Sequence, residues 1–378
     1  MNPILDNIQI ALRQETIEFA QTTLNDNVEQ RDRTESFDRR LWEQCGRLAL
    51  QGLAIPKEYG GRGLQPMNMV VTLEALGYGC RDNGLSFAIG AHLLACVIPI
   101  WKYGSTEQKE KYLPKLCNGT WVATNAITES ETGSDVFSMS TSAVIDDHTF
   151  IIEGEKNYCS NAPVADIALL YAVTNRDKGA LGGISGFILE KESFESTGKI
   201  EKMGLRSCHM GNIVCSSSKV TDKALLGKQG GGTIQFTQSM MWERIGLSAI
   251  HVGTMQRLLD NAVQYCKKRK LKGQSILKFQ SIEHKLVDIK VQLEAARLLV
   301  YKAAYLLENN KKASNSASIA KLFVSEMYKK QTMNILQIYG AIGYVNNSDI
   351  ERTIRDAASS TLYSGTSEVQ KNLISRDL

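Results

Sequence analysis

Between Ile282 and Leu307 the apolar residues Ile282, Leu286, Ile289, Leu293, Ala296, Val300, Ala303 and Leu307 follow one another at alternating spacings of four and three. A mean step of about 3.5 residues predicts a long helix buried along its length in a bundle. The opposite texture lies upstream. From 121 to 220, short runs such as His148-Thr149-Phe150-Ile151-Ile152-Glu153, Ile167 to Val173 and Gly186-Phe187-Ile188-Leu189 alternate or are wholly apolar, with Gly, Asp and Asn between them. That is strand patterning. Before it, Ser105-Thr106-Glu107-Gln108 forms a capping-box start for a short charged helix, and the rest of the N-terminal part reads as helical. The expected fold is therefore mainly α with a central β domain: a helical domain over 1–118, a β-barrel-like domain over 119–226 and a helical bundle over 227–378.

A chain of 378 residues has room for two to three structural units. Its charge, 44 − 40 = +4, with 22% charged residues, argues against a dedicated nucleic-acid binder while leaving room for a local basic patch. Six prolines and 30 glycines exclude a collagenous or disordered chain. The eight cysteines are scattered without a Cys-x-x-Cys pair, which predicts reduced thiols and a cytoplasmic location, not a zinc site or disulfide framework. The start, MNPILDNIQIALRQE, lacks the charged-then-apolar layout of a secretory signal. Gly84 to Trp101 carries no Lys, Arg, Asp or Glu, but it is short and contains Ser86, Gly90, His92 and Pro99, so it reads as a buried helix.

Several common sites are missing. The nearest approach to a dinucleotide fingerprint, Gly227-Lys228-Gln229-Gly230-Gly231-Gly232, neither matches nor continues into a βαβ repeat. No Walker loop or His-Glu-x-x-His is present, the five histidines are isolated, and no metal site is expected. Three polar segments remain. Thr124 to Asp135 packs hydroxyls around Gly133 and could wrap ring edges and phosphates, or could be a capped turn. Lys267-Lys268-Arg269-Lys270-Leu271-Lys272 could capture a pyrophosphate, or could be a solvated helix end favoured by the macrodipole. Arg355 to Glu368 is a helix stop, a glycine turn and a new helix start, which can bind an anion or carbonyl oxygen, or can be an ordinary turn.

In one order along the chain stand PKEYGGRGL, YGSTEQKEKYLPKL, ITESETGSD, GEKNYCSN, KMGLRS, an Arg-x-x-x-Gly from Arg269 to Gly273, QIYGAIGY and IRDAASSTLYSGTSEVQ. With these pieces the chain resembles the acyl-CoA dehydrogenase family of flavoproteins over nearly its whole length. The resemblance implies an N-terminal helical domain, a middle β-barrel and a C-terminal four-helix bundle, assembled as a homotetramer with FAD at a subunit boundary. It implies that Asn125, Ile127, Thr128 and Ser160 meet the flavin ring edge, with Tyr158 against the ring and Gly133 and Ser134 near the diphosphate and the pantetheine arm. Arg269 and Gln280 resemble residues offered by a neighbouring subunit. Gln337, Gly340 and Ala341 match the adenine-side strip, and Thr366 and Glu368 the terminal turn beside the cofactor. Two positions depart from the family pattern: Lys272, where an aromatic is usual, and Ala341, where a second glycine is usual.

The family's reaction needs a carboxylate facing the flavin across the substrate, and donors to the thioester carbonyl. Most members place the carboxylate just before the terminal Gly-Thr, where this chain has Ser364, too weak a base unaided. A minority branch places it on a bundle helix directly before an arginine, which here is Met241-Trp242-Glu243-Arg244. The resemblance thus implies Glu243 as general base, Arg244 as its support and the Ser364 backbone N–H as donor to the carbonyl. Within this branch the chain is most similar to prolyl-carrier-protein dehydrogenases and oxidases of natural-product pathways, which implies a prolyl thioester on a phosphopantetheinyl carrier oxidised to a pyrroline, with electrons leaving to oxygen or to a partner flavoprotein. A short branched-chain acyl-CoA dehydrogenase is the alternative of the same class. A flavin-fold scaffold without catalysis, or a nucleic-acid-associated relative using the 267–272 cations, is the alternative of another.

Overall fold

A computed structural model describes residues 5–346 and 348–378. Helices α1 (Asn7–Phe19), α2 (Val28–Thr34), α3 (Arg39–Arg47), α4 (Pro66–Gly79), α5 (Asn83–His92), α6 (Ile98–Tyr103) and α7 (Thr106–Cys117) form the N-terminal segment. Side chains of Asp6, Asp38, Asp82 and Ser105 accept hydrogen bonds from free N–H groups at the starts of α1, α3, α5 and α7, and Ser105 with Gln108 forms the expected capping box. A π-helical stretch, Leu93–Val97, joins α5 to α6. The resulting helix, Asn83–Tyr103, is apolar and long enough to cross a membrane, yet 89% of its apolar window is buried inside the protein.

The middle segment is an eight-stranded sheet: β1 (Ala123–Ala126), β2 (Ser142–Asp146), β3 (Thr149–Ser160), β4 (Ile167–Val173), β5 (Ile184–Glu190, after the single turn α8, Ala180–Gly183), β6 (Glu195–Ser196), β7 (Met210–Thr221) and β8 (Leu225–Leu226). Its order is β6-β7-β3-β2-β4-β5-β8, with β1 added in parallel to β4. The continuous apolar run of β4 has a simple cause. Ile167, Leu169 and Tyr171 point into the core shared with the helices, while Ala168, Leu170 and Ala172 point into a smaller core enclosed by the sheet.

The C-terminal segment holds α9 (Gly232–Lys268), the hairpin β9 (Lys270–Leu271) and β10 (Gln274–Ser275), α10 (Gln280–Glu308), α11 (Ser314–Tyr339), α12 (Ala341–Tyr344), α13 (Asp349–Ala358) and α14 (Ser367–Ser375). The heptad-like residues Leu286, Ile289, Leu293, Ala296, Val300 and Ala303 of α10 are all buried. Helix α9 packs on α10 and α11, and also tightly on α4 of the first segment. At that crossing the backbones touch. A Cβ on Gly77 would stand 2.0 Å from the Ile250 carbonyl oxygen, and one on Gly253 1.9 Å from that of Glu74. The two helical segments consequently share one hydrophobic core, although the sheet separates them in sequence. All eight cysteines are buried and unpaired.

Candidate active site

Glu243 lies in the first third of α9, directly after Met240 and Trp242, which are 6% and 7% exposed, and is itself only 8% exposed. The terminal turn comes to meet it. After α13 the chain makes one 3₁₀ turn, Ser359–Thr361, and then enters the left-handed region twice, at Ser364 (φ 56°) and Gly365 (φ 87°), before Thr366 caps α14 by accepting from the Val369 N–H. This double left-handed step turns the Ser364 side chain inward, and its hydroxyl donates to Glu243 Oε1 at 2.5 Å. The backbone of the turn is held from two sides. Arg244 Nε donates to the Ser364 carbonyl at 3.1 Å, and Gln370 Nε2 donates to the Ser364 and Gly365 carbonyls at 3.0 and 2.9 Å. The Ser364 N–H has no acceptor among the described residues, which leaves a main-chain donor free beside a buried carboxylate.

Burial raises the Glu243 carboxyl above the ordinary carboxylate range, and the Ser364 hydrogen bond, the Arg244 charge and the Lys321 charge oppose that rise in decreasing order. Arg244 makes no ion pair with Glu243. Its guanidinium goes to the Ser364 carbonyl and to Ser318 Oγ, so it reaches Glu243 through the turn. Three groups around the turn leave little mark in the sequence: the Ser364 hydroxyl, buried Lys321, and His251, whose Nε2 meets the Tyr363 hydroxyl at 2.5 Å while its ring stacks on Tyr328. Lys321 left a trace. It occupies the buried stripe Ala317, Lys321, Val324, Tyr328 of α11, where a solvated lysine has no place.

A second group gathers where β1 and β3 end. Thr124 Oγ1 donates to the Ser160 carbonyl at 2.8 Å, and the Asn157 N–H to the Thr128 carbonyl at 2.7 Å, which brings Asn125, Ile127 and Thr128 alongside Tyr158 and Ser160. Tyr158 sits at φ 57° in an irregularity of the β3–β7 ladder, its ring 60% exposed. The segment is anchored from beneath by Lys156, fully buried, which donates to the Ile127 carbonyl at 3.1 Å and to Glu129 Oε1 at 2.8 Å. Glu129 also accepts from the N–H and hydroxyl groups of Ser140 and Thr141. Gly133 and Ser134 lie exposed in the loop beyond.

A flavin nucleotide suits this rim. The Asn125 side-chain oxygen and the Thr132 hydroxyl are enclosed without hydrogen-bond partners among the described residues, the exposed Tyr158 is carried on β3, and a Cβ on Gly133 would meet nothing within 4 Å. Such groups are left wanting by the protein alone and fit a polar heteroaromatic ligand.

The remaining candidates form a third group. Arg269 ends α9 and Gln280 begins α10, with the exposed β9–β10 hairpin and Lys272 (φ 51°) between them. Lys267 and Lys268 occupy the last turn of α9, where cations offset the helix dipole. Gln337, Gly340 (φ 62°) and Ala341 lie exposed at the end of α11, tied to α9 by the stacked rings of Tyr265 and Tyr339, 4.3 Å apart. The path along α9 from 243 to 268 is about 37 Å at 1.5 Å per residue. One protomer therefore does not bring Arg269 beside its own Glu243. Thr366 and Glu368 lie at the start of α14, next to the turn that carries Ser364.

Models of the N-terminal, middle and C-terminal domains of acyl-CoA dehydrogenases match residues 7–120, 124–218 and 230–378. The chain is 36% identical over 345 residues, 90% of each chain, to an L-prolyl-[peptidyl-carrier protein] dehydrogenase of Pseudomonas fluorescens. Among solved structures it is similar to the prolyl acyl carrier protein oxidase AnaB (39% identity, TM-score 0.96, 99% of both chains). It is also similar to PigA with FAD and proline (32% identity, TM-score 0.97, 100% of this chain and 99% of that one).

Proposed function

The chain belongs to the acyl-CoA dehydrogenase family, and from that premise we propose that it is an FAD-dependent oxidase or dehydrogenase of a prolyl thioester carried on a phosphopantetheinyl carrier protein, working in the cytoplasm as a homo-oligomer. The observation that carries the reading is the buried Glu243 held by Ser364, a carboxylate and a free backbone donor at one place. Relatives whose names specify prolyl-carrier substrates supply the acyl group.

Glu243 takes the proton alpha to the thioester carbonyl. Its raised affinity for protons makes it a stronger base than an exposed carboxylate. The Ser364 N–H donates to the carbonyl oxygen as enolate charge develops there, a donor worth about 3 kcal/mol in a preorganised site. Arg244 and Gln370 keep that N–H aimed by fixing the carbonyls of the turn. Asn125, Ile127, Thr128 and Ser160, with Tyr158, Gly133 and Ser134, would hold the flavin end of FAD; Thr366 and Glu368 would flank it. Arg269, Gln280, Gln337, Gly340 and Ala341 of a neighbouring copy would hold the nucleotide end. FAD supplies the acceptor for the hydride that leaves the substrate. Loss of one proton and one hydride converts the prolyl group to a pyrroline.

The test is anaerobic mixing of the yellow holoenzyme with prolyl-carrier thioester and, separately, with isovaleryl-CoA. Bleaching by the first alone supports the proposal; bleaching by the acyl-CoA alone replaces it with a branched-chain acyl-CoA dehydrogenase. Glu243→Gln is expected to keep its FAD and to slow flavin reduction by about 10² to 10⁴. Near-normal reduction by that variant would remove Glu243 as the base.

A further inference from the structure

Lys321 is 3% exposed, and its ammonium nitrogen has no hydrogen-bond partner among the described residues. Burying an amine without a partner costs several kcal/mol, so the neighbourhood must supply a reason. A cavity of about 10 Å³ behind the terminal turn is bounded by Lys321 together with Arg244, Ser248, His251, Tyr363 and Ser364. Lys321 thus stands at the back of the residue whose hydroxyl holds Glu243, on a helix packed directly against α9.

We infer that Lys321 is a positioning residue for the base: its buried charge, unspent on any hydrogen bond, adds to that of Arg244 in favouring ionised Glu243, so that the two ionisations are linked. This rests on the reading of Glu243 as base.

Several groups around the pair hold one protonation state near neutral pH. On α9, Arg244 stays charged, and His251 is neutral because burial lowers it to about 3. Tyr363 on the turn and Cys96 on the α5–α6 connection are pushed well up by burial, and Tyr171 on β4 is likewise raised, so all three remain protonated. Glu326 on α11 and Glu368 on α14 are the other carboxylates acting on Lys321. Burial, then the Arg244 charge, lower Lys321 to about 8, within reach of the range where an enzyme works. After the larger effects of Arg244 on Glu243 and of Arg244 and Glu326 on Lys321, the charge of Lys321 lowers Glu243 and the charge of Glu243 raises Lys321 in return.

The decisive variants are Lys321→Met and Lys321→Arg in the holoenzyme. Removing the cation disfavours ionised Glu243, so in Lys321→Met the acid limb of flavin reduction should move up by about half a unit to one unit, with KM for the carrier thioester and flavin content unchanged. Lys321→Arg keeps the charge and should leave the acid limb in place. A limb unmoved in Lys321→Met, or moved equally in both variants, overturns the inference, whereas turnover by Glu243→Gln overturns the base reading instead. Should Lys321→Met fail to fold, the wild type still decides. The carboxyl infrared band of Glu243, isolated as the difference between wild type and Glu243→Gln, should show a second inflection near pH 8, where Lys321 titrates. A single inflection sinks the coupling.

Discussion

At the scale of single residues, the site turns on a serine where most of the family has a carboxylate. Its hydroxyl binds the ionised form of Glu243, and a hydrogen bond to the ionised form favours ionisation. Ser364→Ala should therefore raise the affinity of Glu243 for protons and move the acid limb of flavin reduction upward, while the backbone N–H keeps most of the rate at high pH. A pH profile of single-turnover reduction checks this, and an unmoved limb would leave the hydroxyl with no part in the chemistry. Glu243 was singled out by the resemblance to a branch that sets its base before an arginine; on its own, Glu243-Arg244 reads as a charged pair on a helix surface. The hydroxyl was not, because reading Ser364 as a vacated base position treats its side chain as inert. The contact joins residues 121 positions apart, and no local pattern announces it.

At the scale of elements, β1 and the loop after it depend on one ion pair beneath them. Lys156 and Glu129 are both buried, and Lys156 also holds the Ile127 carbonyl. Breaking such a pair from one side leaves the other charge without compensation, typically about 3 to 5 kcal/mol. Lys156→Met should lower the thermal midpoint and loosen FAD together, read by melting with and without added cofactor. Glu129 is held down to about 2 against an ordinary 4.5: burial alone would raise it, and hydrogen bonds from Lys156, Ser140 and Thr141 overcome that. A depressed carboxylate stabilises the fold above its unfolded value, so this contribution is complete above pH 4.5 and drains away as pH falls toward 2. Glu129→Gln should lose that slope in acid unfolding. Strand β4 was readable from its apolar run, and the polar loop from its hydroxyls. Lys156 was not, because a charged residue in a strand reads as solvated until its partner, 27 residues away, is known.

At the scale of the molecule, the order helical, sheet, helical was legible from periodicity alone. The core shared by the first and last segments was not, since it depends on glycines of α4 and α9 meeting face to face. One surface stays uncovered. On α10, Val287, Val291, Leu298 and Tyr305 are each more than half exposed, a stripe separate from the buried one, and such a patch is usual for a face that meets another protein. On the proposed assembly, Val291→Lys should lower the mass in sedimentation equilibrium and release FAD in the same preparation, because Arg269 then no longer reaches a neighbour's cofactor. Dissociation with full flavin retention would show that each protomer binds FAD unaided.

The buried thiols have a consequence for a protein that hands electrons onward. A flavoprotein whose electrons reach oxygen makes peroxide within its own walls, and peroxide attacks thiolates, not thiols. Burial pushes Cys159 and Cys117 up to about 12, Cys80 and Cys208 up to about 11, and Cys45 and Cys96 well up, so these six sulfurs stay in their inert form. Native protein at pH 8 should resist iodoacetamide at these six positions and react only after unfolding. If oxygen is the acceptor, a chain armoured in this way would outlast the peroxide it makes through many cycles with no disulfide to spend.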